Sequence, residues 1–137
     1  MSILVDTSGM VAIANAGEDR HHDVMACVTS TSESLVMPVT VLPEVDYLIT
    51  KYLGAQAAIG VVASIIDGDF RLESLTAVDL PRILELMRQY ADSNTGFVDA
   101  SIIAVAERLN IRQVITLDRR HFGLIRPRHC LTFTILP

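Results

Sequence analysis

The chain has 137 residues, 50% of them hydrophobic and 20% charged, with a mean hydropathy of +0.41. This length suits one domain with a complete core, in which about 70% of the unfolded surface is buried, and the apolar content excludes intrinsic disorder. The net charge of −5 argues against a protein that holds nucleic acid by bulk electrostatics.

The charge is unevenly placed. From residue 100 onward six Arg stand against Glu107 and Asp118, a balance of +4, whereas residues 1–99 carry five basic and fourteen acidic side chains, a balance of −9. Such an asymmetry suits a partner that meets an acidic site on one side and basic residues on another, as a metal-dependent phosphodiester enzyme requires, or is simply that of a solvated helix and loop. The longest apolar stretch, Ala57 to Ile66, is far short of the ~20 residues of a spanning helix, so no membrane span is expected. The amino terminus reaches Asp6 with no basic region before its apolar residues, unlike a secretory signal, and a cytoplasmic product is expected. Cys27 and Cys130 are too few for a disulfide framework or a thiolate metal site.

Ile3-Leu4-Val5 is apolar without alternation and reads as a strand buried on both faces, followed by a helix from Ser8 to Ala16 stopped by Gly17. Asp6 then stands where strand gives way to helix. His21 and His22 fall in a polar loop. Leu35-Val36-Met37 reads as a second buried strand, and Thr40 as the cap of a helix through Leu53, with Pro43 in its first turn and Gly54 past its end. Glu44 lies near that helix's amino terminus.

Ala55 to Ile66 reads as an apolar helix closed by Gly68, Phe70-Arg71-Leu72 as a short strand, and Thr76 with Asp79 as a capping box opening a helix through Tyr90. Asp92 to Gly96 is a polar loop. Val98 to Leu109 is a helix ended by Asn110, and Gln113 to Leu117 is a strand with Asp118 directly after it. Leu131 to Ile135 alternates apolar with polar residues, as an edge strand does. Strands separated by helices predict an α/β fold: a central, mainly parallel sheet with helices on both faces.

Four carboxylates thereby occupy comparable places, Asp6 and Asp118 beyond strand ends, Glu44 and Asp99 in first helical turns. Open parallel sheets bind ligands at the carboxyl ends of their strands, and helix amino termini favour negative charge. Mutual repulsion opposes the grouping: two unit charges 4 Å apart cost about 4 kcal/mol at an effective dielectric of 20, much of a small domain's stability. Protonation relieves it by raising some pKa values; an oxygen-only set is also what Mg²⁺ and Mn²⁺ select, and the metal is the preferred reading. Taken singly, each acid has a simpler role as cap, dipole partner or turn residue; the conjunction favours a site.

Val5-Asp6-Thr7-Ser8, Pro43-Glu44-Val45, Gly96-Phe97-Val98-Asp99-Ala100-Ser101-Ile102 and Thr116-Leu117-Asp118-Arg119-Arg120-His121-Phe122, in that order, resemble the four acidic motifs of PIN-domain nucleases, especially VapC-type toxins of type II toxin–antitoxin pairs. The resemblance spans the chain and is carried chiefly by the Asp99 and Asp118 motifs. It implies one PIN domain over residues 1–137 with a three-layer fold, acting as an endoribonuclease on RNA of the tRNA or rRNA class with Mg²⁺ or Mn²⁺. It also implies neutralisation by a VapB-type antitoxin, and a homodimer. By motif position Asp6, Glu44, Asp99 and Asp118 correspond to the acidic site, Asp6 and Asp99 as direct metal ligands. Glu44 and Asp118 bind metal through water, complete a second metal site, or orient the attacking water. Asp92 corresponds to an accessory acidic position.

Thr7 and Ser8 are candidates to hydrogen-bond Asp6 or water, or simply helix-capping residues. Arg119 and Arg120 are either substrate or scaffold contacts, and His121 either approaches RNA phosphate or packs its turn. Helices from Val41 to Ile66 carry apolar groups on most faces, to be covered by a second copy, by an antitoxin segment, or by their own neighbours. Among other classes, a Mg²⁺-binding receiver-like regulatory domain needs an adjacent acid pair after the first strand and a late Lys, but Thr7-Ser8 follow Asp6 and the only Lys is Lys51. A haloacid-dehalogenase-type phosphatase wants Asp where Ser8 stands, and no Gly-Lys-Ser/Thr nucleotide loop is present. A housekeeping RNA-processing nuclease of the same fold is the nearest alternative.

Overall fold

The computed structural model describes residues 1–137. Five strands, β1 (Ser2–Val5), β2 (Ser34–Pro38), β3 (Arg71–Glu73), β4 (Gln113–Ile115) and β5 (Thr134–Leu136), form one sheet in the order β3-β2-β1-β4-β5, and every pairing is parallel. The seven helices are α1 (Thr7–Ala14), α2 (His21–Ser30), α3 (Val41–Leu53), α4 (Ala55–Ile66), α5 (Asp79–Gln89), α6 (Phe97–Leu109) and α7 (Arg119–Leu124). No helix is long and apolar enough to cross a membrane.

Strand order decides where the site lies. From β1 the chain steps outward through β2 to β3, then returns across the sheet to β4 and proceeds to β5. Parallel crossovers are right-handed, so outward steps in opposite directions place their helices on opposite faces. The carboxyl ends of β1 and β4 flank the point where the direction reverses, and there an open sheet leaves a crevice. Asp6 follows β1 and Asp118 lies three residues past the end of β4. Cover on both faces explains why β1 and β2 read as unbroken apolar runs: Ile3, Leu4, Val5, Leu35, Val36 and Met37 are all buried. In α6 the whole run from Ala100 to Ala106 is buried, and three of its seven residues are alanines, which permit close approach of sheet and α5.

Several local expectations need correction. The segment with His21 and His22 is the first turn of α2 rather than a loop; an Arg20–Asp23 ion pair at 3.0 Å spans that turn, and Val24 alone is fully buried. Helix α1 ends at Ala14, with Asn15 as its cap, two residues short of the expected Ala16. Thr40 makes no side-chain cap on α3: its hydroxyl donates across to Ser101 Oγ at 2.6 Å, because the Ser101 hydroxyl itself donates to the Val98 carbonyl. This ties the start of α3, which carries Glu44, to the first turns of α6, which carry Asp99. The capping box is half formed, with Asp79 accepting from the Thr76 main chain at 2.8 Å and its hydroxyl at 3.3 Å, while the reciprocal side-chain bond is missing. The last strand is shifted to Thr134–Leu136, at the sheet edge as expected. Strand β4 stops at Ile115, and the residues after Asp118 form α7, which the sequence reading did not assign. Gly54, at φ +94° after α3, and Asn110, left-handed after α6, end their helices where expected.

The carboxyl-terminal segment is fastened by buried charge. Arg82 reaches Glu107 with two bonds of 2.7 and 2.9 Å, and the Arg128 main-chain N–H adds a third at 2.7 Å; the Arg82 and Glu107 side chains are 12% and 10% exposed. Asp79 similarly accepts from Arg108 Nε at 3.0 Å. Burial pushes both carboxyls up, but the hydrogen bonds and charge of Arg108 on Asp79, and of Arg82 with the Arg128 N–H on Glu107, outweigh it and leave both below the ordinary carboxylate range. Their stabilisation is therefore complete above the unfolded-state values of roughly 4 and is lost as pH falls through the folded values. Glu107→Gln is expected to cost about 1–2 kcal/mol at neutral pH, read as a lower urea midpoint with unchanged slope, and to weaken the acid-induced loss of stability.

Candidate active site

Asp6 caps α1. Its Oδ1 accepts the Gly9 N–H at 2.8 Å and the Ser8 hydroxyl at 2.9 Å, and its Oδ2 accepts the Thr116 hydroxyl at 2.5 Å. These bonds lock the carboxylate between β1 and β4. Ser8 Oγ in turn accepts the Leu117 N–H at 3.0 Å, and Thr116 Oγ1 accepts the Asp118 N–H at 2.9 Å, so the turn carrying Asp118 is keyed to Asp6. Asp118 caps α7 by accepting the His121 N–H at 3.0 Å. Asp99 stands in the first turn of α6 with Oδ2 3.5 Å from His121 Nε2. Glu44, in the first turn of α3, accepts the Thr7 hydroxyl at 2.7 Å.

Asp6, Glu44, Asp99 and Asp118 line one cavity of about 330 Å³, together with Thr7, Ser8 and Glu18. Burial raises the Asp6 pKa above its ordinary value despite the bonds from Thr116, Gly9 and Ser8, and the charge of Asp118 pushes in the same direction. Burial also raises Asp99; His121 opposes this, and the charges of Glu44 and Asp118 add to it. Asp6 thus senses the charge of Asp118, and Asp99 the charges of Glu44 and Asp118, as expected of carboxylates gathered from separate chain segments.

No three His, Cys, Asp or Glu side chains are grouped at ion-holding distance. Local partners account for this: Glu44 is turned to Thr7 and Asp118 to its own helix. The donor chemistry nevertheless fits a hard divalent cation, being all-oxygen, anionic and mutually repelling. Only Glu44 Oε1 and Asp118 Oδ1 are engaged by those partners, so the second oxygen of each carboxylate is left for ligation, direct or through water.

Of the remaining expected residues, Ser8 bonds Asp6, whereas Thr7 serves Glu44 instead. Asp92 is exposed in a short 3₁₀ turn, Ala91–Ser93, and does not line the cavity. Arg119 and Arg120 are exposed on the first turn of α7, the Arg119 guanidinium donating to the Pro137 carbonyl. Thr116, present in the fourth motif, has no role in the sequence reading, and Glu18 does not figure in it. Thr116 is 1% exposed, and a hydroxyl at the end of a buried apolar strand needs a partner, which is the signal that was there to use. Glu18 sits in the α1–α2 connection, where no periodicity marks it.

The sequence profile described as the PIN domain matches residues 3–125. The chain is 32% identical to Ribonuclease VapC26 of Mycobacterium tuberculosis (strain ATCC 25618 / H37Rv) over 135 residues, covering 98% of this chain and 100% of that one. It is 28% identical over 116 residues to the 23S rRNA-specific endonuclease VapC20 of M. tuberculosis, with 85% and 88% covered. The crystal structure of M. tuberculosis VapC20, described as a Sarcin-Ricin loop cleaving toxin, superimposes with a TM-score of 0.79 at 27% identity over 86% of this chain and 91% of that one. VapBC2 from Rickettsia felis, bound to a promoter DNA fragment, shares the fold at a TM-score of 0.73 and 16% identity, with both chains fully covered. Acidic crevice, profile and relatives agree, and the chain belongs to the PIN-domain family as one of its VapC-type members.

Proposed function

We propose that this protein is a metal-dependent endoribonuclease, the toxin of a toxin–antitoxin pair, acting in the cytoplasm on RNA of the tRNA or rRNA class. The observation that carries the reading is the single cavity that gathers Asp6, Glu44, Asp99 and Asp118 at the reversal point of the sheet. The names of the relatives, a ribonuclease and a 23S rRNA-specific endonuclease, support RNA as the substrate class.

Asp6 and Asp99 are the direct ligands of Mg²⁺ or Mn²⁺, and Glu44 and Asp118 complete the anionic wall. When bound, the cation supplies charge stabilisation at the phosphodiester and acidifies water near neutral pH. The chain's own part is placement. Thr116, Ser8 and the Gly9 N–H hold the Asp6 carboxylate in one orientation, and the Thr40–Ser101 bond fixes the helix starts that present Glu44 and Asp99. Arg119 and Arg120, adjoining Asp118, supply positive charge for RNA phosphates. The VapBC complex among the structural neighbours supports an antitoxin partner. The outer apolar side of α3 and α4, with Ile59, Val62 and Ile66 exposed around a cavity of about 490 Å³, supports a protein interface, with the antitoxin or with a second copy in a homodimer.

Incubation of the purified protein with total tRNA and rRNA should give discrete new ends in Mg²⁺ or Mn²⁺ and none in chelator. Cleavage that persists in chelator overturns the metal mechanism, and no cleavage of any RNA under either condition overturns the nuclease reading.

A further inference from the structure

We propose that His121 is a positioning residue of the acidic site, its side-chain Nε2–H directed at Asp99 Oδ2 while its main-chain N–H holds Asp118 Oδ1, so that one residue sets the spacing of two carboxylates drawn from α6 and α7. Its catalytic consequence rests on the nuclease reading above; the geometry does not.

The placement begins with the cap of α7. The His121 N–H lies 3.0 Å from Asp118 Oδ1, and the Asp118 N–H is held by Thr116, so the main chain at position 121 is fixed to the rim of the cavity. The ring is fixed as well. Its side chain is 12% exposed and it meets Phe122 edge to face at 5.7 Å; Phe122, itself buried, meets Phe133 in the same way at 6.0 Å. A ring so enclosed cannot swing to solvent without breaking that aromatic packing.

What distinguishes His121 is the partner of its buried nitrogen. A histidine kept for packing satisfies its inner nitrogen on a main-chain carbonyl, as His21 does on Ala12 and His129 on Ile111, both at 2.6 Å. His121 Nε2 is buried with no hydrogen bond, as is the second nitrogen of His129, Nδ1, but of these two only His121 Nε2 has a carboxylate beside it, Asp99 Oδ2 at 3.5 Å. Buried polar groups are as a rule paired, and a closure of a few tenths of an ångström brings this pair into hydrogen-bond range. The contact constrains Asp99 Oδ2 and leaves Oδ1 without a hydrogen-bond partner, on a residue that lines the cavity. Asp99 and Asp118 thereby each face a donor of the same residue, the ring and the main-chain N–H of His121. Groups that orient ligating side chains in this way are typically worth about 10–100-fold in metal affinity or activity.

The test uses the full chain. In the chelated wild type, a long-range ¹H–¹⁵N spectrum should show His121 protonated at Nε2; a ring protonated only at Nδ1 overturns the proposal, since a lone pair cannot donate to Asp99. Binding of Mn²⁺ alone, followed by its electron paramagnetic resonance signal, should weaken by about 10–100-fold in His121→Phe, which keeps the aromatic contact, and recover largely in His121→Gln, which keeps an N–H donor. Wild-type Mn²⁺ affinity in His121→Phe overturns the proposal. So does a directly coordinated histidine nitrogen in the spin-echo spectrum of the wild-type Mn²⁺ form, which would make His121 a ligand. If His121→Phe fails to fold, the tautomer and spin-echo readouts on the wild type and the glutamine variant still decide. None of these readouts uses RNA, so a protein that passes them and cuts no RNA counts against the nuclease reading alone.

Discussion

Asp99→Asn is expected to lower RNA cleavage by about 10³-fold or more while making the metal-free protein more stable at neutral pH. The loss follows from removing one of the two proposed direct ligands. The gain follows from electrostatics: burial, with the charges of Glu44 and Asp118, raises the Asp99 pKa. An acid whose folded pKa exceeds its unfolded one binds more protons in the folded state, so its contribution to stability falls as pH rises from the unfolded value near 4 through the folded value. At neutral pH the ionised carboxylate is a net burden, which Asn removes. The side chain is 43% exposed, and solvent screening limits the gain to below about 1 kcal/mol, or a rise of a few degrees in Tm. Thermal melts in chelator should show the variant above wild type at pH 7 and level with it near pH 4. A variant that cleaves RNA normally, or melts below wild type at pH 7, contradicts the assignment.

The parts legible in the sequence are those where local chemistry and tertiary context agree. Ile3-Leu4-Val5 and Leu35-Val36-Met37 read as buried strands because both sheet faces are covered, and Gly54 and Asn110 mark helix ends because few other residues tolerate positive φ. The four acids could be placed near strand ends and in first helical turns, although the strand before Asp118 ends at Ile115 and not at Leu117, and it was the motif resemblance that singled them out. Helix α2 was hidden because Val24 is its only fully buried residue and its first turn is His-His-Asp, while α7 is six residues long, too short to show a period. Partners 37 or more residues apart were also out of reach: Thr7 with Glu44, Thr40 with Ser101, Thr116 with Asp6. A hydroxyl announces that it needs a partner, but not which one. Asp92, given an accessory place by motif position, stands in a 3₁₀ turn and is not among the residues lining the cavity, a placement that depends on how the α5–α6 connection folds and that no local pattern marks.

Gly9→Ala should damage fold and site together. A Cβ on Gly9 would stand 2.4 Å from the Ile115 main-chain oxygen and 3.1 Å from its carbonyl carbon, so no side-chain rotation relieves the clash. That oxygen also accepts the Asp6 N–H at 3.2 Å, and the Gly9 N–H bonds Asp6 Oδ1. Relief therefore requires α1 to move away from β4, stretching the links that join Asp6 to Thr116 and, through it, to Asp118. Overpacking of a core typically costs about 1–3 kcal/mol; with main chain as the obstacle and a buried carboxylate losing donors, about 3 kcal/mol or more is expected. The urea midpoint should fall by about 1 M or more. Cleavage should be reduced even in the fraction that remains folded, because the spacing between Asp6 and Asp118 depends on the same contact. Gly60, at which an added Cβ meets nothing within 4 Å, provides the control: it lies inside α4, and Gly60→Ala should stabilise the chain by about 0.5–1 kcal/mol through helix propensity and unfolded-state entropy. Equal midpoints for the two variants would show that the close approach of α1 to β4 does not hold the crevice together.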